Sequence, residues 1–202
     1  MRRPDRIVLA TGNAKKLAEL RRVLAAESLD VEVLGLGDFP AYPEPAETEK
    51  TFEGNALIKA TEAARRTGLV AVADDSGIEV DELNGMPGVR SARWAGPACD
   101  DAANNALLLA QLDGVAAERR TGRFVCALAA VSPDGETHVW HGTMEGRVAE
   151  SEAGEGGFGY DPLFVPDGET RSSAELTAEE KDAISHRGKA VRAFVAYLKE
   201  LA

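Results

Sequence analysis

Cysteine and long apolar runs are both scarce in this chain. Only two of its 202 residues are cysteines, and Cys99 and Cys126 form no CxxC pair. Neither a disulfide framework nor a zinc site is therefore expected, and a reducing cytoplasm is predicted. No apolar run approaches the roughly 18–20 residues of a membrane helix. The basic N-terminus leads into a short strand-like run, which a secretory signal peptide does not do, so no membrane partner is expected.

Positive charge is also in deficit. Lys and Arg number 23 against 34 Asp and Glu, which gives a formal net charge of −11. This balance disfavours a nucleic-acid-binding surface, which needs a basic face. It leaves room for a small anionic ligand, because a cleft can concentrate the few cations that are present. With 44% hydrophobic residues and no linker or repeat, residues 1–202 are predicted to fold as a single globular domain.

Two adjacent carboxylates follow a short apolar run in the middle of the sequence. Residues 69–73 predict a buried strand that ends at Asp74-Asp75-Ser76-Gly77. Side chains alternate along a strand, so Asp74 and Asp75 are expected on opposite faces, and Gly77 is expected to turn the chain. Paired carboxylates suit Mg²⁺, which takes one or two of them together with substrate phosphate oxygens. An ordinary acidic turn is the alternative.

The chain opens with a strand, a glycine-containing turn and a helix. Residues 6–10 predict the strand, Thr11-Gly12-Asn13 the turn, and Ala14–Ala26 a helix with leucines at helical spacing. The N-terminus of this helix offers backbone N–H groups to an anion. A lysine in the first turn of a helix is destabilising by about 0.3–1 kcal/mol, because its charge repels the positive end of the helix dipole. The presence of both Lys15 and Lys16 there is explained if they face a phosphate. Two solvated lysines are the alternative. The segment does not match a P-loop.

A glycine-rich loop and a basic segment lie near the C-terminus. Residues 154–159 match GxGxxG, but a dinucleotide fingerprint must open a helix, and Tyr160-Asp161-Pro162 follows instead. The loop suits a planar base, with Phe158 stacking on it and Asp161 bonding to a ring edge. A flexible glycine loop is the alternative. Four potential cations follow in an otherwise acidic chain, namely Lys181, His186, Arg187 and Lys189.

The other segments alternate between strand and helix patterns. Residues 31–34 predict a second strand, 51–67 a helix stopped by Gly68, and 100–112 an ordinary packing helix. A hairpin is predicted around Pro133-Asp134-Gly135. A capping box over residues 177–180 starts another helix, and apolar residues between 191 and 198 stripe the last one.

In their order, these segments resemble the inosine triphosphate pyrophosphatase family, whose members remove non-standard purine nucleotides from the nucleotide pool. The resemblance runs nearly from end to end, and although each segment alone is weak, the ordered set is specific. The matching segments are 11–16, Glu47-Thr48, Thr51-Phe52, Asn55-Ala56, Lys59-Ala60, 73–77, 85–89, Ser91-Ala92-Arg93, 156–162, Glu180-Lys181 and 185–188.

The resemblance implies an elongated α/β fold, with a mixed sheet, flanking helices and two lobes around a central nucleotide cleft. It also implies a homodimer that uses Mg²⁺ to hydrolyse ITP, dITP and XTP to the monophosphate and pyrophosphate. Asp75 would activate water and bind the metal, with Glu47 as second ligand and Asp74 supporting. The implied substrate-binding residues are Thr11, Gly12, Asn13, Ala14, Lys15, Lys16, Lys59, Ser76, Phe158, Gly159, Tyr160, Asp161, Lys181, His186 and Arg187.

Base selection would rest on the 6-position of the purine. An oxygen there can accept from Lys181 or Arg187, whereas the amino group of adenine would leave these donors unpaired, at a cost of roughly 1–3 kcal/mol. One residue departs from the family pattern, because Gly54 stands where members often carry Glu, and Glu53 would face about 100° away on a helix. This departure leaves a catalytically weak nucleotide sensor as one alternative. A pyrophosphatase of other modified nucleotides is the second.

Overall fold

A computed structural model of the chain describes residues 2–27 and 31–201. Their contacts divide into two compact units. Unit 1 comprises Met1–Asp75, Cys126–Gly142 and Arg187–Ala202, and unit 2 comprises Ser76–Val125 and Thr143–His186. The single domain over residues 1–202 stays a prediction. Nowhere in the described residues is a helix long and apolar enough to cross a bilayer.

Strands and helices follow one another along the described chain. In order they are β1 (Arg6–Leu9), α1 (Ala14–Ala26), β2 (Glu32–Gly35), α2 (Phe52–Thr67), β3 (Val70–Val80), β4 (Met86–Pro87), α3 (Asp101–Gln111), β5 (Thr121–Val131), β6 (Thr137–Val148), β7 (Phe164–Pro166), α4 (Ala178–Ile184) and α5 (His186–Glu200). The sheet order is β2-β1-β3-β5-β6-β7, with β4 on β3. Strand β1 runs parallel to β2 and β3, whereas β3–β4 and β6–β7 are antiparallel. The predicted α/β fold with a mixed sheet and flanking helices is confirmed.

Unit 1 has two apolar cores because the buried part of β3 is apolar on both faces. Val70 and Val72 pack with side chains of α1 and α5. Ala71 and Ala73 pack with the alanines of α2. This alternation decides which helix each of the next two residues, Asp74 and Asp75, will meet.

The first two helices begin and end where the sequence predicts. In α1 the Asn13 side chain caps the N-terminus by accepting from Lys15 N at 2.9 Å and Lys16 N at 3.2 Å. In α2 the Thr51 side chain accepts from Gly54 N, and Gly68 ends the helix in the left-handed region, with φ 69°. These caps satisfy backbone groups that the helix itself leaves unpaired.

The predicted turn at Asp74-Asp75-Ser76-Gly77 is wrong. Strand β3 continues through these four residues to Val80, where Glu79 and Val80 pair with β4. Gly77 is required for close approach: a Cβ there would lie 2.6 Å from Gly88 O and would overlap Ser91 Oγ. The hydroxyl of Ser91 occupies that space, where it accepts a 2.9 Å hydrogen bond from Ile78 N.

We expect Gly77→Ala to lower the free energy of unfolding by about 1–3 kcal/mol, the usual range for an overpacked site. The matched control is Gly37→Ala, where a Cβ would meet nothing within 4 Å. Urea unfolding of the two variants beside the wild type measures the difference. Equal midpoints for the two variants would show that the contact around Gly77 relaxes without cost.

Unit 2 has its own apolar core, which holds the glycine-rich segment in place. Ile78 and Val80 of β3 pack there with Leu108, Phe124 and Tyr160. Helix α4 begins at the predicted capping box, where Thr177 and Glu180 bond to each other's backbone N–H. Tyr160 is 4% exposed, and its packing in this core anchors the segment from Phe158 to Asp161.

Candidate active site

Asp74 and Asp75 point to opposite faces of β3, as the strand alternation predicts. Asp74 meets Lys16 of α1 and Arg187 of α5. Asp75 meets Asn55 and Lys59, which lie four residues apart on α2. Unit 1 therefore contains two carboxylate–cation clusters, one on each side of the same strand.

The Asp75 cluster is built around the ammonium group of Lys59. Lys59 Nζ lies 3.1 Å from Asp75 Oδ1 and 3.0 Å from Glu47 Oε1. Asn55 Nδ2 donates to the other Asp75 oxygen at 3.2 Å. Asp75 and Lys59 are 7% and 6% exposed, so both charges are largely removed from solvent.

Burial gives Asp75 the electrostatics of a proton acceptor. Burial raises the pKa of Asp75, the Glu47 carboxylate raises it further, and the Lys59 ammonium opposes both. Burial lowers the pKa of Lys59, but the Asp75, Asp74 and Glu47 carboxylates outweigh it and raise that pKa overall. A carboxylate whose pKa lies above its ordinary value accepts a proton more readily than an exposed one.

The Asp74 cluster is a chain of alternating charges. Asp74 Oδ2 accepts from Lys16 Nζ at 3.0 Å and from Arg187 Nε at 3.1 Å, and Arg187 Nη1 donates to Glu19 Oε2 at 2.5 Å. Burial raises the pKa of Asp74, but Lys16 and Arg187 reverse this and hold it far below its ordinary value. Asp74 is therefore a fixed anion and a poor proton acceptor.

Glu19 is a buried charge that sequence reasoning missed. It is 5% exposed and lies three residues after Lys16 on α1. The helical pattern gave no signal, because residues 19 and 20 project about 100° apart and an acidic residue beside an apolar one is normal in an amphipathic helix. The pairing with Arg187 also places that arginine in unit 1, against Asp74. A contact between Arg187 and a purine base stays a prediction.

The donor set around Asp75 fits a divalent cation. Among the described residues, no group of three or more Asp, Glu, His or Cys side chains gathers as a ready-made metal cage. Glu47, Asp75 and Lys59 together carry one negative charge, and the two carboxylates reach the same ammonium. Mg²⁺ is commonly held by one or two carboxylates that substrate phosphates and water complete. This chemistry suits Glu47 and Asp75 better than Asp74, whose Oδ2 already has two cationic partners.

The predicted phosphate-binding segment surrounds the N-terminus of α1. Thr11 Oγ1 accepts from Asn13 N at 3.1 Å, and Asn13 in turn caps two N–H groups of the helix. Those two N–H groups are therefore not available to an anion, contrary to expectation. Gly12, Ala14 and Lys15 are exposed. Lys16 Nζ forms an ion pair with Asp74 of β3 at 3.0 Å.

Gly54 is covered by a neighbouring acidic side chain. A Cβ at Gly54 would lie 2.6 Å from Glu49 Cβ and 2.7 Å from Glu49 Cγ. Glu49 is also fixed through its backbone, because its N–H donates to Asn55 Oδ1 at 3.0 Å. The glutamate that the resemblance implies at this position would therefore require Glu49 to move.

The predicted base-binding residues of unit 2 form a compact set. Asp161 Oδ2 accepts from Phe158 N at 2.8 Å and from Lys181 Nζ at 2.5 Å, and Lys181 Nζ lies 5.2 Å from the centroid of the Phe158 ring. Tyr160 OH donates to Ser91 O at 2.8 Å. The ring of His186 stacks on Phe124 at a centroid distance of 4.9 Å. Ser76 lies in the part of β3 that belongs to unit 2.

The mixed-sheet fold and the carboxylate–lysine clusters define an α/β protein suited to a divalent cation and an anionic ligand. More narrowly, the chain belongs to the Ham1 family, whose model matches residues 7–197. The resemblance drawn from the sequence is thereby confirmed.

Named relatives match the chain over almost all of its length. A dITP/XTP pyrophosphatase of Frankia alni is 58% identical over 97% of this chain and 98% of that protein. A solved dITP/XTP pyrophosphatase of Mycobacterium abscessus is 56% identical, with a TM-score of 0.77 over 94% of this chain and 98% of that one. The solved HAM1 protein of Coxiella burnetii is 40% identical, with a TM-score of 0.88 over 96% and 98% of the two chains.

Proposed function

We propose that this chain hydrolyses the non-standard purine nucleoside triphosphates dITP, ITP and XTP to the monophosphate and pyrophosphate, with Mg²⁺. The observation that carries the proposal is the Glu47–Lys59–Asp75 cluster, in which a buried carboxylate shares one ammonium with a second carboxylate. The names of relatives that match nearly the whole chain agree with this reaction.

The proposed site opposes the charge of a triphosphate. A triphosphate repels an incoming nucleophile, and cations that neutralise it act most strongly in the transition state. Lys16 and Lys59 would supply two of these cations, and Glu47 and Asp75 would hold the metal. When bound, Mg²⁺ would supply further positive charge and lower the pKa of a coordinated water.

Asp74 and Asp75 would have different roles in the reaction. Asp75, whose pKa is raised by burial, would accept the proton of the attacking water. Asp74, whose pKa is lowered by Lys16 and Arg187, would instead hold Lys16 in position through their 3.0 Å ion pair. A base must be free to take up a proton at the working pH, and of the two side chains Asp75 meets that condition better.

Recognition of the base would fall to unit 2. Phe158 would stack on the purine, and Lys181, which lies over that ring, would donate to the oxygen at the 6-position. Asp161 would fix Lys181 through their partly buried ion pair. Adenine offers an amino donor at the 6-position and would leave one N–H of the ammonium without an acceptor, which accounts for the proposed selectivity.

Metal removal and product analysis test the reaction together. Purified protein with Mg²⁺ is expected to convert dITP to dIMP and pyrophosphate while leaving ATP and GTP largely intact. Chelation of the metal should abolish turnover, and added Mg²⁺ should restore it. Release of orthophosphate would move the cleavage to the terminal bond and refute the proposal. Binding of dITP without any turnover would favour the nucleotide sensor.

The proposal extends to assembly and location. We propose a homodimer that acts in the cytoplasm, on the resemblance and on the low cysteine content of the chain. Light scattering is expected to give twice the chain mass of 21.4 kDa.

A further inference from the structure

Helix α3 carries polar side chains that reach into the glycine-rich segment of unit 2. The sequence predicts an ordinary packing helix here, yet Asn104 and Asn105 are 2% and 3% exposed. Asn104 is fully engaged with a neighbouring loop, since its Oδ1 accepts from Ala95 N at 2.7 Å and its Nδ2 donates to Ala92 O at 3.1 Å. Asn105 and Asp101 face a different partner.

Both backbone polar groups of Gly159 bond to α3. Gly159 N donates to Asp101 Oδ2 at 2.8 Å, and Asn105 Nδ2 donates to Gly159 O at 3.2 Å. Gly159 lies in the left-handed region, with φ 61°, which glycine adopts without steric cost. Two side chains from one rigid helix thus fix the backbone of a residue whose conformation would otherwise be among the least restricted.

Packing alone does not account for the amide of Asn105. Its Oδ1 is buried without a hydrogen-bond partner, which is unfavourable, and an apolar side chain of similar size would avoid that cost. Its Nδ2 donates a hydrogen bond to Gly159 O in the glycine-rich segment. The amide is therefore explained by what it does to the loop.

The orientation of the Phe158 ring depends on the bonds between Gly159 and α3. The N–H of Phe158 is fixed by Asp161 Oδ2 at 2.8 Å, and its ring lies beside Lys181 Nζ. The next residue, Gly159, is fixed by α3. The backbone is therefore held on both sides of the Phe158 Cα, which restricts the directions that the ring can take.

We propose that Asp101 and Asn105 are positioning residues that aim the Phe158 ring for stacking on the purine base. The inference rests on the proposed function, because it assumes that Phe158 stacks on the substrate. The two side chains act through Gly159 and touch neither base nor phosphate. Their loss should weaken base binding while the chemistry at Asp75, in unit 1, continues.

The test compares Asp101→Ala with two controls. Asp101→Asn keeps an oxygen that can accept from Gly159 N and should rescue the wild-type behaviour. Asp100→Ala removes the side chain that caps α3, where Asp100 Oδ1 accepts from Ala102 N at 2.9 Å, and leaves the Gly159 bond in place. Asp100→Ala thereby reports what destabilising the same helix does on its own.

We expect Asp101→Ala to raise KM for dITP about tenfold with kcat within about twofold, and to weaken calorimetric binding of IMP by a similar factor. Asn105→Ala should act in the same direction. Asp100→Ala and Asp101→Asn should stay within about twofold of the wild type in KM, with unfolding midpoints measured for all four variants.

Two results would overturn the inference. An unchanged KM and IMP affinity in Asp101→Ala would show that α3 does not position the stacking ring. An equal loss in Asp100→Ala would assign the effect to helix stability. The wild-type protein separates this inference from the proposed function: if wild type neither binds IMP nor turns over dITP, the proposed function itself fails.

Discussion

Asp75→Asn is expected to lower kcat for dITP by about 10²–10⁴-fold, the range associated with loss of a general base. The asparagine keeps the shape of the side chain and an oxygen for Lys59, which lies 3.1 Å from Asp75 Oδ1 in the structure. It cannot take a proton from water, and it offers the metal a neutral ligand. Base binding should change little, because the proposed base-binding residues Phe158 and Lys181 lie in unit 2.

The measurement is kcat and KM for dITP at saturating Mg²⁺, with IMP affinity determined by calorimetry on the same preparation. Asp81→Asn makes the same chemical change in a surface ion pair with Arg123 and should leave both constants near the wild type. Near-normal kcat in Asp75→Asn would refute its role as base. A parallel loss of IMP affinity would point to a wider disturbance of the protein.

The course of β3 shows where sequence reasoning succeeded and where it failed. The alternation of Asp74 and Asp75 was predictable, because it follows from strand geometry alone. The continuation of the strand through Ser76 and Gly77 was not, because Asp, Ser and Gly favour turns locally. The strand is extended by pairing with β4, where Glu79 pairs with Pro87 and Val80 with Met86. Local residue preferences do not predict pairing with a separate strand.

The candidate site likewise contains residues that could be predicted from the sequence and residues that could not. Lys16 and Asp75 were predictable from their local sequence patterns, and Glu47 and Lys59 from the family resemblance alone. The structure places all four in ion pairs around β3. Their roles in binding and catalysis stay predictions. The Glu19–Arg187 pair joins residues 168 positions apart, so the local sequence around one residue does not predict a contact with the other. Asp101 and Asn105 were missed for a different reason: a helix that packs and a helix that positions a loop have the same apolar periodicity.

Arg187→Met is expected to cost about 3–5 kcal/mol of unfolding free energy, because it leaves two buried carboxylates without their shared cation. Arg187 is 3% exposed and bonds to both Asp74 and Glu19. The control is Arg123→Met, whose guanidinium pairs with Asp81 and Glu145 at the surface and should cost about 0.2–1 kcal/mol. The double variant Glu19→Met/Arg187→Met should recover part of the loss, since it also removes the carboxylate that loses its arginine partner, whereas Asp74 keeps its ion pair with Lys16.

Urea unfolding of these variants, combined with IMP binding, separates the two roles that Arg187 can have. A base-contacting arginine would lose IMP affinity on substitution while stability stayed near that of Arg123→Met, and the double variant would recover nothing. A structural arginine would lose stability first, with partial recovery when Glu19 is also replaced. The buried bonds to Asp74 and Glu19 favour the second outcome, because an arginine that turned toward a base would take its charge away from the buried Glu19 and leave Asp74 with Lys16 alone.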